Sequence, residues 1–249
     1  MIEGRACGTL RGVLTDFLSR LFDVQDEPPE WVIIGTALLA FALVGFHPVW
    51  RRTRHVVTIV HEGGHAAVAL LSGRRLQGIR LHSDTSGLTV SAGRPTGLGM
   101  VLTLLAGYPA ASLVGALGAF VLTTGRITLM LGVVLVLLPL MLVMIRNLFG
   151  VVSVVTTWAL VFAVAWFTDP DVQSAFAYLA VWFLLIGGVR PVFELNRQRR
   201  RGRMPYSDAD QIGRLTRVHP MAWVGTFLSI TLLCLVAGGW LLARWLLPE

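Results

Sequence analysis

Val56-Val57-Thr58-Ile59-Val60-His61-Glu62-Gly63-Gly64-His65-Ala66-Ala67-Val68-Ala69-Leu70-Leu71-Ser72 is an aliphatic run interrupted, within five positions, by two imidazoles and a carboxylate. In a helix, residues four apart share a face, so His61 and His65 reach one metal ion from successive turns. Ionisable groups are costly in an apolar helix and are kept there with partners and for chemistry. With six His and six Glu in 249 residues, the H-E-x-x-H pattern is expected by chance about 0.003 times in the chain, so its occurrence carries information.

The surroundings of this run are as apolar as the run itself. Hydrophobic residues make up 55% of the chain, charged residues only 14%, and the mean hydropathy is +0.70. That balance excludes a soluble globule and a disordered chain. Cys7 and Cys234 are too few and too far apart for a disulfide scaffold. A bilayer helix needs about 20 predominantly apolar residues. Spans of roughly that kind run over Trp31–Trp50, Val56–Ser72, Leu98–Thr124, Ile127–Ile145, Leu148–Phe167, Val172–Val189 and Met221–Leu247. The expected fold is an all-α integral membrane protein of about six to seven transmembrane helices. Residues 31–249 form the membrane domain. Ahead of it, residues 1–30 carry Leu10, Val13, Leu14, Phe17, Leu18, Leu21 and Phe22 at helical spacing, which predicts an amphipathic helix, lying in the membrane plane or packed on the rest of the protein.

Between the second and third spans, Gly78 to Pro95 is polar and glycine-punctuated. Ile79, Leu81, Leu88 and Val90 alternate around Asp84-Thr85-Ser86-Gly87. The pattern predicts a β-hairpin beside the metal helix. Pro109 is expected to bend the third span.

The basic residues are all arginine, and eight of the 21 fall between Arg190 and Arg217. We read this as topology and anionic-lipid contact rather than nucleic-acid binding, with the segment of about 190–217 a cytoplasmic loop. Counting back from it places Arg146 on the same side, but puts Arg51, Arg52 and Arg54 on the opposite side if Val56–Ser72 crosses the bilayer. A re-entrant Val56–Ser72 removes the conflict.

Zinc accepts imidazole nitrogen readily, and a catalytic zinc site has three protein ligands and a position for water. Glu62, next to His61, is placed to act as general base. The third ligand comes from elsewhere, and the carboxylates beyond the N-terminal region are Asp84, Asp169, Asp171, Glu194, Asp208 and Asp210. Ser207 with Asp210 also forms a capping box, which gives the acidic pair a purely structural use. His82 and His219 are rival ligands, while His47 and His55 sit at span boundaries. Asn147, between the fourth and fifth spans, can hydrogen-bond a substrate backbone.

His61-Glu62-Gly63-Gly64-His65-Ala66, Ala106-Gly107-Tyr108-Pro109-Ala110, Arg146-Asn147-Leu148-Phe149-Gly150 and Ser207-Asp208-Ala209-Asp210-Gln211 together resemble the site-2-protease class of intramembrane zinc metalloproteases, within its bacterial branch of small polytopic members. The L-D-G motif of better-known members is absent. The resemblance implies a Zn2+ held by His61, His65 and a carboxylate, placed by the Ser207-Asp208-Ala209 segment at Asp208 with Asp210 second, and Glu62 as base. It further implies a multi-pass protein of the bacterial plasma membrane acting on membrane-protein or peptide substrates, with a regulatory partner an open matter. A membrane helix hides its peptide bonds, so substrate must unwind, and the hairpin with Leu88 and Val90 offers an edge for the extended segment. Two other readings use the same residues: a zinc-bearing scaffold without turnover, and a transporter with a transient ion path.

Overall fold

The computed structural model describes residues 21, 23–84, 86–202 and 206–244. The expected amphipathic segment and Cys7 lie almost wholly outside them. The elements in chain order are α1 (Glu30–Gly45), α2 (His47–Leu71), β1 (Arg75–Leu81), β2 (Gly87–Ala92), α3 (Leu98–Leu105), α4 (Gly107–Leu122), α5 (Ile127–Leu142), α6 (Leu148–Phe167), α7 (Pro170–Arg200), α8 (Asp208–Thr216) and α9 (Pro220–Ala243). Among the described residues the regular structure is helical apart from one antiparallel hairpin, β1–β2.

Three helices, α6, α7 and α9, are long and apolar enough to cross a membrane, and up to five spans result if each of two bent pairs counts as one. The expected six to seven are not confirmed among the described residues. Helix α5, an expected span, has only 16 residues, and two helix pairs are bent. Helix α1 meets α2 at 102° and α3 meets α4 at 63°.

The first break is set by proline. Phe46 is extended and Pro48 occupies the first turn of α2, where its missing N–H is harmless but from which it could not have continued α1. Arg51, Arg52 and Arg54, expected to separate two spans, instead lie within α2, since arginine favours the helix. The second break falls at Ala106, with Pro109 in the first turn of α4. A third proline, Pro139, lies inside α5 and leaves the Leu135 carbonyl without its helical donor. Trp158 of α6 supplies one, its indole N–H reaching that carbonyl at 3.0 Å.

The arginine-rich segment is largely helix rather than loop. Helix α7 continues to Arg200, and α8 begins at Asp208. Arg, Gln, Glu, Leu and Asn sustain a helix without any apolar periodicity, so hydropathy ended the predicted span too soon.

Helix α2 lies across one end of the bundle. Gly64 rests on Ala106 and Ala110 at the start of α4, Gly63 faces Met141 at the end of α5, and His55 meets Phe149 at the start of α6. On its other flank Trp50 meets Phe183 of α7, and Arg54 pairs with Glu194 of the same helix at 3.1 Å. Arg54 and the α7 arginines thus share one end of the molecule.

The hairpin is fastened to this end. Ile79 of β1 donates its N–H to Met144 and accepts from Arg146, each at 2.8 Å. The Asn147 side chain then continues the ladder: Leu81 N–H donates to its Oδ1 at 3.1 Å, and its Nδ2 donates to the Leu81 carbonyl at 2.6 Å. At the far end buried Arg74 donates to the Ser91 hydroxyl and the Arg94 carbonyl.

Candidate metal centre

His61 and His65 are presented by the middle of α2, one turn apart, with their Nε2 atoms 3.1 Å from each other. Asp208, the first residue of α8, brings Oδ2 to 3.5 Å from His61 Nε2 and 3.3 Å from His65 Nε2. A tetrahedral zinc with bonds near 2.0–2.2 Å separates its ligand atoms by roughly 3.3–3.6 Å. The triangle therefore has the size of one face of a zinc tetrahedron, and its two imidazoles and one carboxylate are donors that zinc accepts. Among the described residues this is the group of metal-binding side chains that converges.

Each ligand is held from behind. His65 is buried, and its Nδ1 lies 2.7 Å from the Thr103 carbonyl, which assigns the proton to Nδ1 and leaves Nε2 a lone pair. That carbonyl is available because α3 breaks off three residues later. Gly107, the first residue of α4, faces both rings so closely that an added Cβ would strike His65 and come within 2.8 Å of His61 Cε1. Tyr108 stands edge-on to His61, ring centroids 4.9 Å apart, and stacks on Phe227.

Asp208 is aimed by the start of its own helix. Ser207 and Asp210 form a complete capping box, and Arg199 of α7 bonds both the Ser207 hydroxyl and the Asp210 carboxylate. Asp210 is thereby committed to α8 and α7, and the structure brings Asp208 to the imidazoles instead. Burial works against ionisation of Asp208, but His65 and His61 outweigh it and hold the carboxyl below the usual carboxylate range. Asp210 behaves alike for a different reason: burial is overcome by Arg199 and Ser207.

Glu62 is almost fully buried. Thr89 of β2 donates its hydroxyl to Glu62 Oε2 at 2.6 Å, and Gly87 lies so close above the carboxylate that a Cβ there would collide with it. The hairpin thus seats the acid. The His82–Ser86 turn hydrogen bond and the β1–β2 register fix which groups of β2 are paired. Arg80 with Leu88 and Gly78 with Val90 are the hydrogen-bonded pairs, so Gly87 and Thr89 turn their N–H and C=O to the open edge. That edge lines a cavity of about 530 Å³ which also holds His61, Glu62, His65 and Asp208. Leu88 and Val90 are partly exposed on the opposite face of the strand from Thr89.

The remaining candidates do not join the triangle, although Asp84 and Glu194 line the same cavity. Asn147 bonds the protein's own Leu81 backbone. His82 contacts Ser86, His219 caps α9, and His47 lies near Arg190. Glu194 bonds Trp50, Arg54 and Arg190. Thr103, Thr89 and Gly107 were not singled out from sequence as site residues. Pro109 marked the break that exposes the Thr103 carbonyl, but nothing local marks Thr103 itself.

No curated protein and no solved structure matches the chain, whereas the family model described as Peptidase M50B-like matches residues 34–238. The match takes in both imidazoles, Glu62, the hairpin and Asp208, and its site-2-protease character is that of the sequence motifs. The chain belongs to the Peptidase M50B-like family.

Proposed function

We propose that this protein is a zinc-dependent endopeptidase that cleaves peptide bonds within or next to the bilayer. The observation that carries the reading is the 3.1–3.5 Å triangle of His61, His65 and Asp208 ligand atoms, open to a cavity that contains a buried carboxylate. His61, His65 and Asp208 would hold the metal. Zinc, when bound, supplies a Lewis acid and lowers the pKa of water to about 7.

Glu62 takes the proton of the attacking water and delivers it to the leaving amide nitrogen. Thr89 holds Oε2 of that carboxylate in place throughout. The open edge of β2, at Gly87 and Thr89, receives the locally unwound substrate as an added strand, with Leu88 and Val90 on the face available to its side chains. Pairing with the edge repays part of the hydrogen bonding that unwinding removes.

The test is zinc content and cleavage of single-span membrane proteins by purified wild type, Glu62→Gln, Asp208→Asn and Asp210→Asn. Wild type and Glu62→Gln should hold stoichiometric zinc, with turnover in Glu62→Gln lower by about 100-fold or more. Asp208→Asn should lose the metal and Asp210→Asn keep it. Full zinc in Asp208→Asn would overturn the ligand set. Unchanged behaviour of Glu62→Gln would favour a scaffold over an enzyme.

A further inference from the structure

The cavity extends beyond the metal triangle along α2, and its far end carries charge that the chemistry above does not use. Arg54 lines the cavity there, and among the described lining residues it is the one arginine, in a chain without lysine. It lies seven positions before His61 on the same face of α2, about 10 Å along the axis. Its guanidinium stands over the Trp50 ring at 5.6 Å and reaches Glu194 Oε2 at 3.1 Å.

Glu194 is not Arg54's alone. Its Oε1 accepts from the Trp50 indole at 2.9 Å and from Arg190 at 3.0 Å. Arg190 also bonds the Val44 and Gly45 carbonyls at the end of α1 and stacks over Trp50. Arg190, Glu194 and Trp50 therefore form a clamp that fixes the α1–α2 bend on α7. Trp50, Glu194 and Arg54 line the cavity, Arg54 as its one guanidinium; in this cluster two guanidinium groups face one carboxylate, while the cavity's other carboxylates, Glu62, Asp84 and Asp208, belong to the triangle and the hairpin. Most of the five N–H groups of Arg54 are not used by Glu194, and a planar guanidinium is matched to a carboxylate.

Strand β2 runs beside α2, with Gly87 and Thr89 at Glu62 and Ser91 at Arg74. A strand added to its edge therefore runs along α2 as well. Extended peptide advances about 3.3 Å per residue, so a chain with its scissile bond at the triangle reaches Arg54 about three residues away.

We propose that Arg54 is a specificity-determining residue that binds a carboxylate of the substrate, about three residues from the scissile bond, and that Glu194 holds it in position. The carboxylate comes either from an Asp or Glu side chain or from a free C-terminus. The proposal rests on the zinc-peptidase reading above.

Peptide hydroxamates test it, because the hydroxamate anchors on zinc and the arm projects along the cavity. Four arms of three residues are compared on the full-length, zinc-loaded protein in detergent: terminal residue with free carboxylate, the same with C-terminal amide, and an amidated arm with Asp or with Asn at the third residue. Kd is measured by displacement of a fluorescent hydroxamate, and zinc content is measured on the same sample. Wild type should bind a carboxylate arm about tenfold more tightly than its neutral counterpart, and the preferred pair identifies the source. In Arg54→Gln the preference should vanish, and in Arg54→Lys it should be partly restored. Equal Kd for charged and neutral arms in zinc-loaded wild type would overturn the subsite and leave the peptidase reading standing, as would a preference that survives Arg54→Gln. A protein that takes up no zinc and binds none of the arms would overturn the peptidase reading and the subsite with it.

Discussion

Gly107 and Gly63 both border the metal site, yet their surroundings differ. A Cβ on Gly107 has no room against His65 and His61, whereas one on Gly63 finds only Met141 Sδ at 3.9 Å. Gly107→Ala should displace the rings and weaken zinc binding at least tenfold in a chelator competition. Gly63→Ala should keep the metal and raise the melting temperature, since alanine stabilises a helix interior by about 0.5–1 kcal/mol over glycine. His61, Glu62 and His65 were legible in the sequence because their relation is local: a helix of known pitch fixes it. Thr103 was not legible, because a carbonyl becomes a histidine partner only through the break at Ala106, whose consequence is felt at His65, 38 positions from Thr103.

At the scale of elements, the hairpin and α8 are the two attachments that complete the centre. The hairpin was predictable from alternation and its turn residues, and it forms in the expected place. Its seating was not. Asn147 substitutes a side-chain amide for a strand residue and bonds both backbone groups of Leu81, a role that sequence could not distinguish from binding a substrate backbone. Asn147→Ala should leave two strand groups without these partners and loosen the hairpin. We expect faster amide exchange in β1 and β2 and a turnover lower by about tenfold, with zinc content unchanged because no ligand lies on the hairpin. Asp210 acts on the other attachment. Its carboxyl is held below its ordinary value of 3.8 by Arg199 and Ser207 despite burial. A depressed folded-state pKa stabilises above the unfolded value and loses that contribution as the pH falls through the folded one. The cap of α8, and with it the aim of Asp208, is therefore retained down to pH values below about 4.

At the scale of the whole molecule, the 102° bend between α1 and α2 places the helix of His61, Glu62 and His65 across one end of the bundle. Arg51, Arg75 and Arg197 should then lie on the same side of the membrane. Single cysteines at these positions, in a background lacking Cys7 and Cys234, should react from one side with a membrane-impermeant maleimide in oriented vesicles. Labelling of Arg51→Cys and Arg75→Cys from opposite sides would mean that α2 crosses the bilayer. Such a crossing would put Arg51, Arg52 and Arg54 opposite the arginines of α7, which is the conflict that counting spans by hydropathy produced.

The sequence by itself determined the membrane character, the helix that carries His61, Glu62 and His65, the hairpin, the helix break and the capping box. Each depends on composition or on residues a few positions apart, where backbone geometry is the same in any fold. Only the tertiary structure decided that Asp208 rather than Asp210 meets the imidazoles, that Asn147 belongs to the sheet, and that α2 lies across the bundle. Those outcomes depend on distances between elements more than 60 residues apart. They are set by which surfaces pack and which polar groups must find partners once water is excluded, and no periodicity in the chain records them.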